Sequence, residues 1–141
     1  MDKGDKSRLI RGLSEYIFYG FPLMQELGTV DDVVRMVIRN LHHIVYIKER
    51  GRIVFVMIYM MLTDSTLEKF ISGELSLENP DTFERLEKEN GNNVHVFTIR
   101  SDRMGFILKA VHSIIKNLKP KTFSYYRDDD IKNLIFLKRE K

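Results

Sequence analysis

Apolar residues recur along the chain in two periods, and the change from one to the other marks its elements. From Ser7 to about Tyr19, Leu9, Ile10, Leu13, Tyr16 and Ile17 share one side of a helix, while Arg8, Arg11 and Glu15 stay polar. Gly20, Phe21 and Pro22 end it, because a residue before proline avoids the helical region. A short connector is expected over 23–28. Thr29 then begins the clearest helix: its hydroxyl can cap, and Asp31 and Asp32 fall where the dipole favours them. Val30, Val33, Val34, Val37, Ile38 and Leu41 form its stripe.

The period next falls to two or vanishes. Ile44 to Ile47 and Ile53 to Leu62 read as strands joined by the charged, glycine-containing link Lys48 to Arg52, a hairpin signal. The second, IVFVMIYMML, is apolar on both faces and belongs inside a sheet covered on both sides. Asp64 to Ser72 and Pro80 to Glu89 read as short helices. Ser65 and Glu68 have capping-box spacing in the first, and Pro80 suits the start of the second. Val94 to Ile99 is a buried strand. Arg100, Ser101, Asp102 and Arg103 break its apolar run, and a helix follows with Ile107, Ala110, Val111, Ile114, Ile115 and Leu118 on one side. Thr122 to Tyr126 and Leu134 to Lys138 are further strands, with at most one helical turn over 128–132.

The order α-α-β-β-(α-α)-β-α-β-β predicts a mixed α/β fold, with a central mixed sheet flanked by helices on both faces. A right-handed crossover through residues 107–118 makes the strands near 94–99 and 122–126 parallel neighbours. Residues 1–141 are expected to form one domain with a two-helix insertion at about 64–90.

Composition narrows the chemistry. There is no cysteine among the 141 residues, which excludes disulfides, thiolate metal sites and cysteine catalysis. The longest strongly apolar stretch, Ile53 to Leu62, is about half of a membrane span, so no membrane partner is expected. The charged N-terminal residues do not resemble a signal peptide, and a cytoplasmic location is expected. A net charge of +3 is too small to favour nucleic acid.

The strand, turn and helix over residues 94–118 carry the strongest functional signal. The first N–H groups of the helix lack partners, the dipole adds positive charge there, and two arginines and a glycine share the turn. The six residues Arg100-Ser101-Asp102-Arg103-Met104-Gly105 resemble the Gln/Arg-x-x-Gly-x-Gly/Ala signature of the GNAT superfamily, the GCN5-related N-acetyltransferases. Arg100 and Gly105 fit its first and last positions, and Arg103 stands where the middle glycine is usual. The element order over residues 5–137 is also similar to that of the family.

This resemblance implies acetyl-CoA or another acyl-CoA as cofactor, and a small-molecule or protein amine as acceptor. The pantetheine arm would lie along Val96, Thr98 and Ile99. The pyrophosphate would meet Arg100, Ser101, Asp102, Arg103, Met104 and Gly105. Tyr126, at a strand end, and His95, on the central strand, would be the catalytic candidates. Each residue also has a plainer reading: the arginines as solvated turn residues, His95 as an ordinary strand residue, Tyr126 as packing, and His42 and His43 as a helix end. Two other functions compete. One is a non-catalytic module of the same fold, for instance in a homodimer. The other is a nucleic-acid binder using Lys116, Lys119, Lys121 and the C-terminal basic residues Lys138, Arg139 and Lys141.

Overall fold

A computed structural model describes residues 3–20, 25, 28–75, 80–126 and 134–138; for 80–83, 126 and 134–138 it describes the backbone alone. Most of the connector expected at 23–28, and the turn expected at 128–132, lie outside the described residues.

The elements follow in the order α1 (Lys3–Gly20), α2 (Val30–Arg39), a 3-10 turn (Leu41–His43), β1 (Ile44–Glu49), β2 (Arg52–Leu62), α3 (Asp64–Ile71), α4 (Pro80–Glu87), β3 (Asn93–Ser101), α5 (Met104–Leu118), β4 (Thr122–Tyr126) and β5 (Leu134–Lys138). The strands form one mixed sheet in the order β1-β2-β3-β4-β5. β1 and β2 are antiparallel, β3 and β4 parallel, and β4 and β5 antiparallel. The chain divides into two compact units, Met1–Ile58 with Thr98–Lys109, and Tyr59–Phe97 with Ala110–Lys141. Strands β2 and β3 each contribute to both.

In the first unit Leu9, Leu13 and Ile17 of α1 are buried, as are Val33, Met36 and Val37 of α2. Met36 takes the place in the α2 core that periodicity gave to Ile38, which is exposed. Thr29 caps α2: it accepts from the Asp32 amide, and Asp32 reaches back to the Thr29 amide at 2.8 Å. That contact, with the Thr29 hydroxyl next, holds the Asp32 carboxyl below its usual range. Between β1 and β2 the loop is only Arg50 and Gly51, with φ of 53° and 78°. Positive φ at both positions is what a type I′ hairpin turn requires. In β2, Phe55 to Ile58 are wholly buried.

The second unit has a core of Met60, Leu62, Leu67, Phe70 and Leu86, with Leu75 and Phe97 packed against it. The inserted helices α3 and α4 supply Leu67, Phe70 and Leu86. The cap of α3 is Thr63, which accepts from the Thr66 amide. The expected Ser65–Glu68 box gives way because Glu89 supplies the carboxylate from far along the chain, bonding the Thr63 amide at 3.0 Å and the Thr66 hydroxyl at 2.7 Å. Gly91 passes so close to β2 that a Cβ there would come within 2.1 Å of the Leu62 carbonyl oxygen. Any other residue would have to move the chain at 91 away from the end of β2.

Candidate functional site

β3 is longer than its apolar run: it takes in Arg100 and Ser101, so the polar turn reduces to Asp102 and Arg103 before α5 opens at Met104. Within that turn Ser101 Oγ accepts from the Arg103 amide at 3.2 Å and donates to the Arg103 carbonyl. The Asp102 amide donates to the Val54 carbonyl at 3.0 Å. Asp102 and Arg103 therefore spend their amides inside the protein. The Phe106 amide turns back to the Arg103 carbonyl at 3.2 Å. Met104 and Gly105 are left, at the first turn of a helix, with no acceptor among the described residues. Both are exposed, and a Cβ placed on Gly105 would meet nothing within 4 Å.

The two arginines part company. Arg100 lies 4.0 Å over the ring of Tyr16 and donates to the Tyr16 carbonyl. A Cβ on Gly20, the last residue of α1, would fall 2.2 Å from Arg100 Cδ, so glycine makes room for this side chain. The Tyr16 hydroxyl sits 2.9 Å from the Val54 carbonyl and 2.8 Å from Asp102 Oδ1, with one proton for two acceptors. Burial, and next the hydrogen bond to Asp102, push this phenol well above the usual tyrosine range. Arg100 is thus held by α1. Arg103 faces outward: its side chain is 68% exposed, 3.5 Å from Glu49 Oε2 and 5.6 Å over the Phe106 ring. Sequence reasoning missed Tyr16 and Gly20 because only the fold brings α1 to the turn. Beside it, Glu49, Arg50, Arg52, Val54, Asp102 and Arg103 line an open groove of about 580 Å³.

The other candidates lie in the second unit. His95 is wholly buried; its Nδ1 is 2.8 Å from Ser124 Oγ, and its ring packs at 4.8 Å from that of Phe70. Burial lowers its pKa to about 4, so it is neutral at pH 7. Nearby, Asn93 bonds Asp64 at 2.8 Å and accepts from Thr122 at 2.7 Å, and Lys121 bonds Asp64 at 2.9 Å. Val96 is buried and pairs with Tyr125, the last parallel pair of β3 and β4. Thr98, in the first unit, is buried and Ile99 half-buried. Tyr126 ends β4, and its side chain lies outside the described residues. His42 and His43 form the short 3-10 turn rather than the end of α2, with rings 4.0 Å apart.

Among the described residues, no cluster of His, Asp or Glu could hold a metal ion, and no helix is long and apolar enough to cross a membrane. Comparison with family models, with curated proteins and with solved structures finds no match.

Proposed function

We propose that the chain is an acyl-CoA-dependent N-acyltransferase that moves an acyl group to an amine, on a GNAT-like plan. One observation carries this reading. Beyond its last parallel pair with β4, β3 runs into a polar turn, and two exposed amides there, without an acceptor among the described residues, open a 15-residue helix. Such a helix start favours a bound anion through its N–H groups and its dipole. The residues fit a pyrophosphate in part. Met104 and Gly105 have donors to offer, the space over Gly105 is open, and the Arg103 guanidinium is exposed beside them. Ser101, Asp102 and Arg100 are spent within the protein and would hold the shape of the turn instead. Thr98 and Ile99 would flank the pantetheine arm.

Acyl-CoA, when bound, supplies an activated thioester. The chain's part would be to position it so that the C–N bond forms as the thioester C–S bond breaks and the thiol leaves; the amine's proton would pass to water, because His95 is buried. That burial also favours a second reading: a module with the same fold that binds without catalysis.

Calorimetry with CoA tests the proposal. Gly105→Ala meets no clash and replaces the poorest helix former but proline, so it should stabilise the protein by up to about 1 kcal/mol. On this reading it should nevertheless weaken CoA. Arg103→Ala should weaken CoA by roughly 1–3 kcal/mol, the range for a hydrogen bond to a charged group. If Arg103 instead obstructs the close approach that a glycine would permit, Arg103→Gly should strengthen binding. No CoA binding at millimolar ligand in the parent or the variants rejects the acyltransferase. CoA binding without acyl transfer to any amine selects the second reading.

A further inference from the structure

The hairpin between β1 and β2 carries a residue that its own geometry argues against. Arg50 has φ of 53°, and it occupies the first position of a two-residue turn completed by Gly51. Asn, Asp and Gly are the residues that suit this position, because a long side chain gains nothing there and pays the left-handed penalty. Backbone cost retained at one place points to a use for the side chain. That side chain lines the groove of about 580 Å³ together with Arg52, Arg103, Glu49, Val54 and Asp102.

The charges in the groove do not cancel. Glu49 stands opposite Arg52 in the strand register, but its carboxylate goes to Arg103 at 3.5 Å. Asp102 is engaged by the Tyr16 hydroxyl at 2.8 Å. Neither Arg50 nor Arg52 has an ion-pair partner among the described residues. Two guanidiniums therefore remain in the lining of an open groove, with a third paired to Glu49. Guanidinium forks match phosphate oxygens two at a time. Two such charges also match a phosphate monoester, which carries about −1.5 to −2 near neutral pH, better than a diester with a single charge.

We propose that Arg50 and Arg52 form a binding site for a terminal phosphomonoester. The site is separate from the Met104 and Gly105 amides and does not need them. A phosphomonoester reaches it from either of two sources, the 3′-phosphate of CoA or a free nucleotide.

The test is calorimetry with CoA, 3′-dephospho-CoA, adenosine 3′,5′-bisphosphate and a short oligothymidylate, on the parent, Arg52→Ala and Arg50→Asn. Arg50→Asn creates Asn-Gly, the preferred pair for this turn. Its melting temperature should rise while phosphomonoester affinity falls, a combination that a purely structural arginine does not produce. For the parent, CoA should bind at least about tenfold more tightly than its dephospho form. Each variant should erase most of that gap. Adenosine bisphosphate binding that the variants remove, with no difference between the coenzymes, assigns the site to free nucleotides; the acyl-CoA reading falls only where neither coenzyme binds. Equal binding of CoA and dephospho-CoA, with bisphosphate binding absent or unchanged by the variants, overturns the inference and leaves the proposed function standing. Tight oligothymidylate binding lost in both variants overturns the monoester assignment in favour of a nucleic-acid backbone.

Discussion

The two halves of β3 are built on opposite terms. From Asn93 to Val96 every residue is buried, and its polar groups face partners on the same strand pair: His95 meets Ser124, and Asn93 meets Thr122. From Arg100 onward the chain is increasingly exposed and is held by Tyr16 of α1, through its carbonyl and its hydroxyl, with the Met104 and Gly105 amides lacking an acceptor among the described residues. The first half spends its polar groups on structure, and the second keeps some in reserve. A polar residue in a sheet is therefore no guide to chemistry until its partners are known. His95 has the more chemical side chain, yet two backbone amides are the better candidates for ligand binding.

The contrast breaks most sharply under an added charge. Val94→Asp puts an uncompensated carboxylate into a fully buried position and should cost at least about 3 kcal/mol. Met104→Asp, at a position 83% exposed, should stay within about 0.5 kcal/mol or stabilise slightly through the helix dipole. Urea midpoints compare the two. Similar losses would mean that the halves of β3 do not differ as described.

Acid is the next probe. Burial depresses His95 from 6.5 to about 4, so the unfolded chain binds a proton that the folded one refuses. Its stabilising contribution is present in full above pH 6.5 and is lost as pH falls through the window from 6.5 to about 4. The loss should total about 3 kcal/mol. Melting followed from pH 7 to pH 4.5 should show most of it, and His95→Gln should flatten the profile. A parent profile that stays level would place His95 in contact with water.

A smaller effect tests the other half. Tyr16→Phe removes the hydroxyl shared by Val54 and Asp102 while keeping the ring under Arg100. It should cost about 1 kcal/mol. An unchanged melting temperature would mean that the turn is not held from α1.

Much of the framework was legible from local signals. Continuous apolarity announced the burial of β2, Thr29 announced the start of α2, and the crossover argument announced the parallel pairing of β3 and β4. These depend on residues near in sequence or on general chain geometry. The groups that decide the site depend on neither. Tyr16 meets Arg100 and Asp102 only after α1 and β3 are both in place, and Tyr16 read as one more apolar position on its helix. Glu89 replaces the local cap of α3 from another segment. The cost at Arg50 depends on a loop of two residues, and the broader charged link did not reveal that length.

Amide chemical shifts during a CoA titration test the central claim most directly, that the open half of β3 and the start of α5 are where this protein meets an anionic ligand. The largest saturable changes should fall on Met104 and Gly105, with Ser101 to Arg103 following and Val94 to Val96 nearly still. Changes confined to the buried half of β3, or none at millimolar CoA, would contradict it.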